Sequence, residues 1–228
     1  MSALGRRLFA EFLGTALLLA TVVGSGIMGV ALSGGNDGIA LLANASATAG
    51  VLYVLIELFG PVSGAHFNPA VTVAMRIRRE VDTRTALAYV AVQVLAAIVG
   101  VAIAHAMFGQ ALLQPGTHAR TGASQWLSEG VAAFGLLLTI LLGARHRPAA
   151  LPALVAAWIF AAYWFTASTS FANPAVTLAR SLTQTFAGIR PDDVAGFVVA
   201  QLVGMLAGVA VAGVLKPAGA GLQGEDRT

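Results

Sequence analysis

Six apolar runs, roughly residues 8–32, 39–62, 85–108, 125–143, 149–167 and 194–216, limit what this chain can become. A helix needs about 20 residues to cross the hydrocarbon of a bilayer, and the runs are of that order. All are rich in Gly and Ala, which lets helices approach closely in lipid. A transmembrane barrel would require strict two-residue alternation of apolar and polar side chains, and the runs show none. The predicted fold class is therefore an all-α membrane protein with six spans. Composition agrees, since 57% of the 228 residues are hydrophobic and 10% charged, against about a quarter charged in soluble domains.

The charges that remain are placed by topology. Arg6 and Arg7, then Arg76, Arg78, Arg79 and Arg84, then Arg145 and Arg147, then Lys216 and Arg227, fall at alternate ends of the runs. Cytoplasmic loops collect Lys and Arg, so both termini are expected in the cytoplasm of an inner (plasma) membrane protein. The basicity is accounted for without a nucleic-acid partner. The first run holds Glu11 and is followed by Gly-Gly-Asn rather than a small-residue cleavage site, so it reads as a span, not a leader. Without cysteine there is no thiol chemistry. No catalytic, metal or phosphate-cradling pattern emerges either, so no enzyme and no cofactor is expected.

The two halves of the chain repeat. LFAEFLGTALLLATVV (8–23) resembles WLSEGVAAFGLLLTIL (126–141), each with a Glu near its start; YVAVQVLAAIVGVAIA (89–104) resembles FVVAQLVGMLAGVAVA (197–212), each with a Gln seven residues before a Gly. Between these pairs lies Asn-Pro-Ala-Val-Thr, at 68–72 and again at 173–177. Three spans per half is an odd number, so the second half enters from the opposite face. That is an inverted repeat, whose sites are expected at the midplane between the halves.

Asn is a preferred helix N-cap and Pro is favoured at the first helical position, so each Asn-Pro-Ala starts a helix. These helices run for about nine residues from Pro69 and about ten from Pro174, too short to cross at 1.5 Å per residue. Each segment must enter and return, and non-helical backbone at that depth is tolerated only where it lines a cavity or is buried in protein. Two half-helices meeting N-terminus to N-terminus put positive dipole ends at mid-membrane, with Asn amides offered to passing solutes. The segments before them, Gly64, Ala65 and His66 and then Ser170, Phe171 and Ala172, would present backbone carbonyls.

With "AEFLGT", "SGAHFNPAVT" and a second NPA over residues 8–216, the sequence resembles the aquaporin and aquaglyceroporin family, the major intrinsic proteins. The resemblance implies one channel domain over 1–228, with repeats at about 1–109 and 125–216 and a cytoplasmic tail at 217–228. It implies a pore around Asn68, Pro69, Ala70, Asn173, Pro174 and Ala175, and a homotetramer in the lipid bilayer. Glu11 and Glu129 would brace the re-entrant loops, with Gln93 and Gln201 as similar contacts and His66 as a loop support.

The family usually has an arginine directly after the second NPA, forming the narrowest constriction with three other positions. Carried over without gaps, these are Thr48, Ala161, Ser170 and Val176, with Ala47 or Ala162 one slip away. Such a neck is wide, weakly polar and lacks a guanidinium. Arg180, one helical turn beyond Val176, has three readings: a replacement bent back to the neck, an outer vestibule charge, or a contact for Asp192 or Asp193. "NPAVTLARSLT" and "TFAGIRPDDV" resemble the bacterial branch found with arsenic-resistance genes, which implies passage of arsenite and methylated arsenicals. The expected function is thus a passive channel for small neutral polar solutes. Alternatives are a general glycerol, urea or water channel without an arsenic role, a coupled secondary transporter, and a closed structural protein.

Glu57, inside the second run and matched by Ala162 in the second half, is expected as a neutral, hydrogen-bonded acid. His105 and His118 carry little signal, and Trp126, Trp158, Trp164 and Tyr163 read as interface or packing aromatics.

Overall fold

The fold, a computed structural model, is described for residues 1–215; Lys216, Arg227 and the 217–228 tail lie outside the described residues. The helices are α1 (Ala3–Leu32), α2 (Asp37–Ser63), α3 (Pro69–Ile77), α4 (Thr83–Met107), α5 (Ala123–His146), α6 (Leu151–Phe165), α7 (Pro174–Arg180) and α8 (Val194–Val214). Among the described residues, six helices are long and apolar enough to cross a membrane, the fifth and sixth counting short 3₁₀ turns at Pro148–Ala150 and Pro191–Asp193. The remaining two, α3 and α7, are the half-helices expected after each Asn-Pro-Ala. The second is shorter than anticipated, ending at Arg180.

Packing follows the repeat. In the first half α1 lies against α2 and α4; in the second, α5 lies against α6 and α8. Each half-helix reaches across, α3 to α8 and α7 to α4, while α2 against α6 joins the halves. The Gly in each Gln-to-Gly spacing now has a reason. A Cβ on Gly100 would collide with the Ala16 carbonyl of α1, and one on Gly208 would press on the Phe134 carbonyl of α5. A bare Cα is what lets these backbones meet, as small residues do in membrane helix pairs.

The outward faces are apolar, as a bilayer requires. Glu57 departs from this pattern: it sits on the exposed face of α2 beside Val54 and Leu58, not inside the bundle. Its expected counterpart Ala162 is fully buried. The two positions do not match because α2 and α6 join their half-helices differently, through residues 64–67 in one case and 166–172 in the other.

Candidate functional site

Each half-helix begins at its Asn. Asn68 Oδ1 accepts from the Ala70 N–H at 2.8 Å, and Asn173 Oδ1 accepts from the N–H groups of Ala175 and Val176 at 3.0 and 3.3 Å. Both Asn backbones are extended, with Pro69 and Pro174 at the first helical positions. The amide nitrogens form a reciprocal clasp. Asn68 Nδ2 donates to the Ala172 carbonyl and Asn173 Nδ2 donates to the Phe67 carbonyl, each at 2.8 Å. Every NH₂ has two hydrogens, so one on each Asn remains for other partners.

The segments entering the half-helices are bent, not simply extended. Positive φ falls at Ala65 and Phe67 and again at Ser170 and Ala172, the third and first residues before each Asn. Non-glycine residues hold such angles at a cost of about 1–3 kcal/mol each, so the surroundings must enforce them. The glutamates do so. Glu11 accepts from the N–H groups of His66 and Phe67, from Ser63 Oγ and from Gln93 Nε2. Glu129 accepts from the N–H groups of Phe171 and Ala172 and from Gln201 Nε2. Both glutamates are fully buried. Gln93 also donates to Thr72, and Gln201 to Thr177, so each carboxyl, amide and half-helix is tied into one network. His66 Nδ1 lies 3.1 Å from Thr72 Oγ1, and its ring meets Tyr89 edge-on.

A cavity of about 280 Å³ runs past both Asn residues, room for several waters at about 30 Å³ each. Its walls are stripes at four-residue spacing: Thr48, Leu52 and Ile56 of α2; Leu136, Ile140 and Ala144 of α5; Leu151, Val155, Ile159 and Tyr163 of α6. The re-entrant residues Gly64, Ala65, His66, Ser170, Phe171 and Ala172 border it too, as do Val176 and Arg180. Glu80, paired with Arg78 at 2.7 Å, stands at its basic end.

Three sequence expectations need correction. Ala161 is exposed on the outer surface of α6 and does not border the cavity. Tyr163, expected as a packing aromatic, faces the cavity instead and donates from its hydroxyl to Thr48 Oγ1 at 3.3 Å. Counting 12 residues back from Asn173 fails because it ignores the helix phase; the stripe Leu151-Val155-Ile159-Tyr163 was the signal to follow. The Ala172 carbonyl, expected to face solutes, is the one that receives Asn68.

Of the three readings of Arg180, the contact with the loop acids is not the one seen, and the residue borders the cavity. It makes no ion pair with Asp192 or Asp193. Asp193 is engaged by the Arg190 side chain and by the Arg120 N–H. Arg180 Nε instead donates to the Ala187 carbonyl, and its guanidinium lies 3.3 Å above the Phe171 ring.

Arg120, from the α4–α5 connection, was not singled out by the sequence. Its Nε donates to the Gly188 carbonyl and its Nη1 to the Ser168 carbonyl, at 2.9 and 3.1 Å, and it too faces Phe171, at 5.0 Å. Burial pulls its pKa down to about 10, which leaves it charged at neutral pH. His105 is likewise a buried bridge, from the Leu112 carbonyl to Thr183 Oγ1, holding the connections after α4 and α7 together.

A sequence model described as Major intrinsic protein matches residues 1–163. The chain belongs to the major intrinsic protein family. Among curated relatives, Aquaglyceroporin AqpS of Rhizobium meliloti (strain 1021) is 56% identical over 208 residues, 91% of this chain and 89% of that protein. Aquaporin PIP2-7 of Arabidopsis thaliana is 41% identical over 96 residues, 42% of this chain and 34% of that one. The solved aquaglyceroporin from Plasmodium falciparum superimposes with a TM-score of 0.70 at 19% identity, covering 92% and 93% of the two chains, and so shares the fold. Like other major intrinsic proteins, this is a multi-pass membrane channel and not an enzyme.

Proposed function

We propose that this channel passes small neutral hydroxyl-bearing solutes, namely glycerol, water and arsenite as its neutral trihydroxide, down their gradients. The observation that carries this reading is the composition of the cavity wall beside the second Asn-Pro-Ala. Val176, Ser170, Thr48 and Tyr163 all border the cavity, and the Tyr163 hydroxyl reaches Thr48. An apolar residue directly after the second Asn-Pro-Ala sets a greasy side chain among these hydroxyls. That pairing suits a carbon skeleton bearing hydroxyl groups better than water alone. The name of the 56% identical relative, an aquaglyceroporin, points the same way. Arsenite offers three hydroxyls and no charge, which is the same hydrogen-bonding problem at similar size.

The basic ends of α1, α3 and α5 support an inner-membrane channel with both termini cytoplasmic. It works as a homotetramer. An exposed Glu57 on the apolar face of α2 supports this assembly, because an acid facing hydrocarbon is costly and a second copy would cover it.

Stopped-flow permeability of proteoliposomes tests the reading, with water, glycerol and arsenite as solutes and Val176→Arg beside wild type. Wild type is expected to pass all three, and the Arg form to lose glycerol and arsenite by about tenfold or more while keeping water. A wild-type protein that passes water alone overturns the proposal.

A further inference from the structure

Beside the main cavity lies a second space of about 300 Å³, bordered by Arg7 of α1, the last turn of α2 and Val81. Gly64, His66, Met75 and Glu80 border both, so the two spaces meet at a mouth beside the α3–α4 turn. Two arginines attend this mouth. Glu80 pairs with Arg78 Nε on its own turn, at 2.7 Å, with the two side chains 48% and 25% exposed. An ion pair so open to water is weak and readily exchanged. Arg7 borders the second space together with Glu80, yet enters neither of the ion pairs among the described residues. It is held firmly all the same. Its Nε donates to the Tyr89 hydroxyl, which donates to the Ser63 carbonyl, each at 2.8 Å, and its guanidinium lies 5.3 Å from the centre of the Tyr89 ring. Tyr89 itself is fully buried. Glu80 is anchored through its backbone alone, the N–H on the Met75 carbonyl at 2.9 Å, which leaves its side chain free to turn.

We propose that Glu80 is a latch on this mouth, turning between Arg78, which leaves the mouth open, and Arg7, which closes it. In the closed arrangement the carboxylate accepts from the Nη nitrogens of Arg7, and the new pair lies across the residues that the two spaces share. The swing is a side-chain rotation on an unmoved turn. Exchange is therefore fast, and mean permeability follows the populations of the two pairings. Because both partners are guanidiniums, neither pairing has a large chemical advantage, and a small change at either arginine shifts the balance. Fixing Arg7 on Tyr89 gives the closed pair a rigid post, while Arg78 rides on the turn that carries Glu80. The latch acts on the mouth and not on the constriction, so it goes beyond the solute reading and holds for whichever solute passes.

Stopped-flow permeability of proteoliposomes to water and glycerol reads the latch. Arg78→Gln removes the open partner and is expected to lower permeability to both solutes by one common factor, about two- to threefold, since an exposed ion pair shifts an equilibrium only a few-fold. Adding Glu80→Gln to it should restore at least the wild-type rate, and so should adding Arg7→Gln. An unchanged rate in Arg78→Gln overturns the proposal, and so does a loss that persists after Glu80→Gln is added. The chain has no cysteine, which permits a second test that needs no charge variant to conduct normally. With Arg7→Cys and Glu80→Cys together, a short bismaleimide is expected to join the two within one chain and to block flow, whereas neither single Cys variant is blocked. Absence of that cross-link overturns the latch even where Arg7→Gln fails to insert. A wild type that passes water but no glycerol sinks the solute reading alone, and the latch is then judged on water.

Discussion

At the scale of single residues, the buried glutamates carry more than their number suggests. Glu129→Ala leaves the N–H groups of Phe171 and Ala172 and the Gln201 amide without their acceptor. Each buried donor so abandoned costs about 1–3 kcal/mol, so the variant should lose at least about 3 kcal/mol, read as a lower melting temperature in detergent. Glu129→Gln retains one oxygen and should lose less. These glutamates were legible in the sequence because their signal is a repeat: the same residue at the same place in two halves. The cavity-facing place of Tyr163 and the contacts of Arg180 were not. The first depends on the phase of α6 relative to a connection that is longer than its counterpart after α2. The second depends on where a long side chain bends, which is decided by Phe171 and the Ala187 carbonyl, neither of them predictable from helix spacing.

Among the helices, close approach and capping make separable contributions. Gly100→Val places a branched side chain where the Ala16 carbonyl already lies, and overpacking of this kind costs about 1–3 kcal/mol or more. At the start of α4, Asp82 accepts from the Thr85 hydroxyl at 2.6 Å and the Thr85 N–H at 2.9 Å. These bonds, the hydroxyl's first, hold its pKa below the ordinary 3.8. Because the folded value is depressed, the contribution is complete above the unfolded value and disappears as pH falls through the folded one. Wild type should therefore lose stability on acidification below about pH 4 more steeply than Asp82→Asn, which caps α4 without titrating there. The helices themselves, and the two that stop short, were readable from run length and from Asn-Pro alone. Their pairing across the halves was not, since contacts such as α3 with α8 join segments with no local signal in common.

For the molecule as a whole, the clasp that each Asn side chain makes on the opposite loop's carbonyl couples its halves. Asn68→Ala and Asn173→Ala each remove one strand of it and one helix cap. In a double-mutant cycle they should fail to add by about 0.5 kcal/mol or more, since the residues share one site. Strict additivity would mean that each half holds its own cap and that the clasp carries no energy.

The clasp also sets an order of events during synthesis. Asn68 leaves the ribosome 105 residues before Asn173, an interval of about 5–20 s at ordinary elongation rates. Through that time α3 has no opposing loop to close against, and the Ala172 carbonyl that receives Asn68 has yet to be made. The first half must wait, unfinished, in the translocon or the membrane until the second arrives. A polypeptide built this way commits to its final shape only once its second half has been made, when the polar groups of the two loops find each other.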